Sequence, residues 1–179
     1  MSKKEEEIKG HKRKGFEHRD DLVGEHKYSD IGQLIFLFSF LILWILDSFV
    51  FKFSTFLVQY IPNYVRGILA CFTLILAGYL PFKAHKMVFE EERDAPRVIK
   101  EGVFAYVRHP MYLGAMLLYL GLFFATLSLA SLALWILIIV FYEFTSSYEE
   151  KLLLAHFGEE YKAYKNSVGK WIPGLKLKK

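Results

Sequence analysis

The chain has 179 residues, a length that fits one domain. Hydrophobic residues make up 54% and aromatics 17%, yet 23% are charged, so apolar and charged residues must be segregated along the chain. That excludes an intrinsically disordered protein, argues against an ordinary water-soluble globule, and leaves the net charge of +4 less telling than where the charges sit.

Residues 1–30 are almost entirely polar, with eight Lys/Arg and eight Asp/Glu. No apolar run follows the first basic residues, so the segment is not expected to be a signal peptide. It reads as a solvated cytoplasmic tail, with His11, His18 and His26 too scattered for a metal site. The stretch from Gly24 to Asp30 is suited to capping the first helix. The single cysteine, Cys71, excludes an intramolecular disulfide and a cysteine-only metal site, and no metal is expected.

The first apolar run covers about 31–51, enough for the ~30 Å hydrocarbon core of a bilayer. Pro62 and Asn63 mark a turn, and a second run spans 64–82. After a charged stretch, residues 111–147 form a run of 37 residues with one charge, Glu143. That is too long for one span and fits two, about 111–127 and 131–147, joined near Ser128 as a tight antiparallel hairpin. Lys and Arg number eight before the first span, six in 83–108 and seven after the fourth, but only Lys52 and Arg66 between the first two spans. By the positive-inside rule, both termini and the 83–108 loop are cytoplasmic. Asp47 falls in the outer third of the first run, where it reads as an ion pair with Lys52 or Arg66 or as a carboxylate snorkelling to the surface.

In the tail, Leu153, Phe157, Tyr161, Tyr164 and Val168 recur at helical spacing. They predict an amphipathic helix lying on the membrane or against the loop. Trp171-Ile172-Pro173 reads as an interfacial anchor. The expected fold is thus all-α: an integral membrane protein of four transmembrane helices with a cytoplasmic amphipathic helix, and residues 31–179 as one domain.

The densest chemistry is Arg108-His109-Pro110-Met111-Tyr112-Leu113-Gly114, where the loop becomes the third span. Proline suits the first helical position because its missing N–H would have no partner there. The free N–H groups that follow lie at the positive end of the helix dipole, and Arg108 and His109 add donors. This predicts an anion site at the membrane surface. The hairpin brings Glu149 and Glu150 to the same face, so a ligand carrying both a carboxylate and a cationic group matches the pair. In the plainer reading, Arg108 and the glutamates simply pair with one another. Gly114 and Gly121 are small enough for close helix packing or ligand approach. No phosphate-binding glycine loop, His-Glu-x-x-His or dinucleotide fingerprint occurs, and the interleaved charges argue against nucleic-acid binding.

Gly102-Val103-Phe104, the Arg108–Gly114 run, Glu149-Glu150, Phe157-Gly158-Glu159-Glu160-Tyr161, Tyr164 and Trp171-Ile172-Pro173 resemble the isoprenylcysteine carboxyl methyltransferase family. Phospholipid methyltransferases share its superfamily. The resemblance covers about residues 96–175. It implies S-adenosylmethionine as cofactor. His109, Pro110, Met111 and Tyr112 would line the cofactor pocket, and Glu149 and Glu150 would hold its polar groups. Pro96, Arg97, Val98 and Ile99, with Phe104, would wrap the adenosine part. Arg108 and His109 are the candidates for a catalytic role. The segments 96–114 and 145–173 would form the site, open to the cytoplasm, while a lipid-like or prenylated acceptor arrives laterally from the membrane lipids. Two positions depart from the family: Pro96 stands where a His is frequent, and Thr145 where prenylcysteine enzymes tend to carry an Arg. The second departure bears on the acceptor, not on the cofactor. A prenylated cysteine carboxylate, a phospholipid amine and a small thiol all stay open as acceptors. An NADPH-dependent sterol reductase, with its similar His-Pro-x-Tyr-x-Gly element, and an inert membrane scaffold are the rivals from other classes; here Ala115 follows Gly114, where the reductases usually have an acid.

Overall fold

The computed structural model describes residues 27–90 and 97–174. The capping expectation for Gly24–His26, the three N-terminal histidines and Pro96 lie outside these residues. Among the described residues the architecture is helical. Helix α1 runs Lys27–Ile45 and continues as a wider π-helical turn, Leu46–Phe51. Helix α2 runs Asn63–His85, α3 Pro110–Thr126, α4 Leu129–Phe157 and α5 Glu159–Ser167. Short 3-10 turns cover Phe56–Gln59 and Gly102–Ala105.

The segments Asp30–Phe51, Asn63–Phe89 and Leu129–Phe157 are long and apolar enough to cross a membrane, while α3 is shorter at 17 residues. At 1.5 Å per residue α3 reaches about 25 Å, against about 43 Å for α4. The outward faces carry large apolar side chains: Ile35 and Phe38 on α1, Ile68, Phe72 and Ile75 on α2, and Leu137, Val140 and Phe144 on α4. Such faces are the normal boundary of a helix with lipid.

Lipid tails are as apolar as leucine, so contacts between such helices depend on close packing and interhelical hydrogen bonds. Both are present. A Cβ on Gly114 would lie 2.3 Å from Pro81 Cγ, and one on Gly121 would lie 2.7 Å from Leu74 Cγ. These two glycines of α3 therefore let α2 approach closely. Trp44 Nε1 donates to Leu122 O and Thr126 Oγ1 at 2.9 Å, tying α1 to α3, and Trp135 Nε1 donates to Met116 O. Phe40, Met116, Tyr119, Ile138 and Tyr142 fill the space between α1, α3 and α4.

The α3–α4 connection is as short as the sequence suggests. Leu127 is left-handed, and the Ser128 hydroxyl caps α4 by accepting from Ser131 N at 3.1 Å. Asp47 departs from its expected ion pair with Lys52 or Arg66. Its carboxylate is buried and accepts from Ser54 N at 3.0 Å and from the hydroxyls of Ser54 and Ser128. Arg66 instead donates to Ala125 O and Asn63 Oδ1. Hydroxyls and an amide satisfy the acid here because they reach it from the neighbouring turns, while Arg66 is held by the Ala125 carbonyl and by Asn63 of its own helix.

Two expectations for the tail need correction. The helix does not run continuously through Leu153–Val168. It breaks at Gly158, whose φ of +55° is one that glycine adopts without a steric penalty. Leu153 and Phe157 thus close α4, and Tyr161 and Tyr164 open onto the same cluster from α5. That cluster packs on Val98, so the apolar face lies against the loop, the second of the two expected placements. Trp171 is also more than an interfacial anchor. It packs against the core and against His109, and its Nε1 donates to Glu143 Oε2 at 2.7 Å.

Candidate functional site

Pro110 begins α3 with His109 as its N-cap, and α4 continues ten residues past the expected end of its span. These two facts place Arg108, His109 and Tyr112 beside Glu149 and Glu150. Arg108 Nε and Nη2 both lie 2.8 Å from Glu150 Oε1. Its Nη1 donates to Lys165 O at 3.1 Å and to Val168 O. Lys165 Nζ reaches Glu150 Oε2 at 2.8 Å. Glu150 is 2% exposed, so its charge is compensated entirely from within the protein. Such a pair is favourable only when its geometry is good and its remaining donors are satisfied, as they are here.

His109 is buried, with Nε2 at 3.2 Å from Glu150 Oε1 and Nδ1 at 3.8 Å from Glu149 Oε2. Burial pushes its pKa below the ordinary value of 6.5, against the opposing pull of Glu150. Arg108 and Lys170 add to the lowering. The imidazole is therefore neutral at physiological pH. A carboxylate only accepts, so the ring proton belongs on Nε2, and Nδ1 carries the lone pair. The ring stacks on Tyr112 at 5.8 Å and tilts against Trp171 at 5.6 Å. The Tyr112 hydroxyl donates to Glu149 Oε1.

The C-terminal strap fixes this arrangement. Arg108 N donates to Gly169 O at 3.0 Å, and Val107 pairs with Gly169 as an isolated parallel bridge. Tyr164 OH donates to Phe104 O at 2.8 Å, and Lys100 pairs with Glu160 at 2.8 Å. Lys170 Nζ holds Glu143 at 2.6 Å. Burial raises the pKa values of the Tyr161 and Tyr164 phenols, so both stay neutral.

Two cavities flank the cluster. The first, about 140 Å³, is lined by Arg97, Val98, Ile99, Phe104, Arg108 and residues of the α4–α5 junction, including Leu153 and Phe157. The second, about 430 Å³, lies between α1, α2 and α3 and is walled by Gln33, Pro81, Met111 and Tyr112 among others. Each adjoins the cluster through one bonded residue: Arg108 lines the first and bonds Glu150, while Tyr112 lines the second and bonds Glu149.

The residues named from sequence thus separate into groups. Arg97, Val98, Ile99 and Phe104 share the small apolar cavity, and Met111 and Tyr112 wall the larger one. Pro110 is fully buried and lines neither, so its part is to start the helix. Arg108 is committed to Glu150 and two carbonyls, as the plainer reading held, and its guanidinium is not held open for an external anion. The two glutamates are unlike: Glu150 is enclosed, whereas Glu149 has a side chain 15% exposed. Lys165, Lys170 and Trp171 take part in this arrangement; the sequence made Trp171 an interfacial anchor and gave neither lysine a part in the site. A signal for Lys165 existed, because it lies on the polar face of a helix whose other face must pack.

The phospholipid methyltransferase family model matches residues 66–160. The protein-S-isoprenylcysteine O-methyltransferase of Saccharomyces cerevisiae is 34% identical over 110 residues, which are 59% of this chain and 45% of that protein. The Schizosaccharomyces pombe protein of the same name is 37% identical over 82 residues, 42% of this chain and 33% of that one. In Dictyostelium discoideum the figure is 32% over 94 residues, 50% of this chain and 38% of that protein. The matches span less than half the length of these curated relatives. A solved structure of the eukaryotic intramembrane Ras methyltransferase, isoprenylcysteine carboxyl methyltransferase, superposes with a TM-score of 0.60 at 22% identity. It covers 87% of this chain and 56% of that one, and it shows a shared fold. With more than half of its residues matched by that family model, the chain belongs to the phospholipid methyltransferase family.

Proposed function

We propose that this protein is an integral membrane methyltransferase that uses S-adenosylmethionine to methylate a lipophilic acceptor, in the manner of the isoprenylcysteine carboxyl methyltransferases. In this reading α3 completes a set of four spans. Both termini and the cluster around His109 then face the cytoplasm, the orientation that the distribution of Lys and Arg favours. The observation that carries the reading is the cluster of buried His109 and Glu150 with partly exposed Glu149, whose bonded neighbours Arg108 and Tyr112 wall a small apolar cavity and a groove facing the bilayer.

The donor set fits the cofactor. An apolar cavity walled by Val98, Ile99 and Phe104 suits a flat heterocycle, and two carboxylates nearby suit ammonium, sulfonium and hydroxyl groups. When bound, S-adenosylmethionine supplies a methyl group already activated on sulfur. Arg97, Val98, Ile99 and Phe104 would hold its adenosine part, and Glu149 would meet its polar groups. Arg108 and Lys165 keep Glu150 ionised and fixed, and Glu150 in turn holds the His109 ring. The protein's share of the catalysis is then positioning and exclusion of water. For an acceptor that must lose a proton, the unprotonated His109 Nδ1 is the receiving atom.

A second reading, methylation of a phospholipid amine or of a thiol, has two observations in its favour. Among the described residues no Lys, Arg or His lines the groove, and buried Thr145 offers no charge for a carboxylate. The test supplies methyl-labelled cofactor with a prenylcysteine analogue or a phospholipid extract and counts organic-phase label before and after mild base. Label released as methanol means an ester and supports the first reading. Base-stable label on a headgroup supports the second, and no transfer to any lipophilic acceptor overturns both.

A further inference from the structure

We propose that the groove between α1, α2 and α3 holds the apolar chain of the acceptor, and that Gly78 sets how bulky a chain it admits. The inference rests on the methyltransferase reading and goes beyond it by naming a specificity-determining position. The groove, at about 430 Å³, lies within the range of roughly 300–1,000 Å³ usual for small-molecule sites. Its walls are apolar apart from Gln33 and Tyr112. Helix α2 turns Ile75, Tyr79 and Phe82 outward beside it, so the groove opens where lipid chains lie.

The two glycines that line the groove from the facing helices are unlike. At Gly114 a Cβ would sit 2.3 Å from Pro81 Cγ and 3.1 Å from Ala77 O, so that position is closed by packing. At Gly78 a Cβ would meet nothing within 4 Å, yet the residue lines the groove. A side chain at 78 would therefore enter open space without displacing the protein. The occupant is argued from continuity: Tyr112 walls the groove and also donates to Glu149, so a chain lying there brings its head to the cluster around His109.

The experiment uses the full chain in phosphatidylcholine nanodiscs with a photoactivatable palmityl cysteine thioether as probe. Wild type is expected to take label at Met111, Ala115 and Leu118. Gly78→Leu, which adds a branched side chain at the groove wall and favours the helix, is expected to lower that label about tenfold or more. Gly67→Leu lies on the same helix, also in open space but away from the groove, and is expected to label as wild type. Equal labelling of Gly78→Leu and wild type would overturn the proposal. So would label spread evenly over Phe72 and Ile136, the sign of ordinary bilayer lipid. Cross-links from the groove to a second copy of the chain would overturn it as well. Cofactor binding is titrated in parallel and should be unchanged in Gly78→Leu. Groove labelling without cofactor binding in the wild type would sink the methyltransferase reading and leave the groove assignment supported.

Discussion

The molecule buries a carboxylate at each end of its helical bundle, and the two ends solve the problem differently. At one end Asp47 is held by Ser54, Ser128 and a backbone N–H. These neutral donors come from the turns that close the bundle, and Ser128 and Ser54 in turn cap and brace the start of α4. At the other end Glu150 is held by Arg108, Lys165 and His109, and cavities open on both sides. A buried acid alone therefore does not mark a site. The Asp47 cluster spends its polarity on joining turns. The Glu150 cluster fixes a buried titratable ring among residues whose neighbours wall two cavities, with a second carboxylate, Glu149, left partly exposed.

The largest effect should follow from breaking the charged end. Glu150→Ala leaves Arg108 without its carboxylate and is expected to cost about 3–5 kcal/mol, read as a fall in thermal stability in detergent. Asp47→Asn removes a charge shared by neutral donors and should cost less, about 1–3 kcal/mol by the same assay, with cofactor affinity retained. If Asp47→Asn proved the more damaging of the two, the ranking of the ends would be reversed. The pH response should separate them too. Folded His109 has a pKa below 6.5, so between that lowered value and 6.5 the unfolded chain binds the extra proton. Its contribution to stability is complete above pH 6.5 and is lost as pH falls below it, whereas His109→Gln should flatten that part of the profile. Glu149→Gln should be the mildest for the fold, within about 0.5 kcal/mol, because Glu149 reaches the surface.

The helices were legible in the sequence because their signals are local. Pro62-Asn63 and Pro110 mark starts that the structure reproduces within a residue. The end of α4 was not, since Glu149, Glu150 and Lys151 look like the close of a span when they are in fact helical residues beyond it. Gly158 hid a break, because the apolar spacing on either side continues in phase and only the backbone angle distinguishes two helices from one. The neighbours Arg108, His109, Glu149 and Glu150 followed from the hairpin. What could not be read was the return of α5 and the strap, which bring Lys165 and Trp171 back to residues far away in sequence. Likewise Asp47 had two cations nearby in sequence, yet its partners came from the turns at Ser54 and Ser128.

The most direct test of the central claim is a calorimetric titration of S-adenosylmethionine into wild type, Glu149→Gln and Asp47→Asn in detergent. Saturable binding is expected for wild type and Asp47→Asn with equal affinity, and a loss of about tenfold or more in Glu149→Gln, the size of one lost charge-assisted contact. Equal affinity in all three proteins, or no binding to the wild type, would contradict that claim.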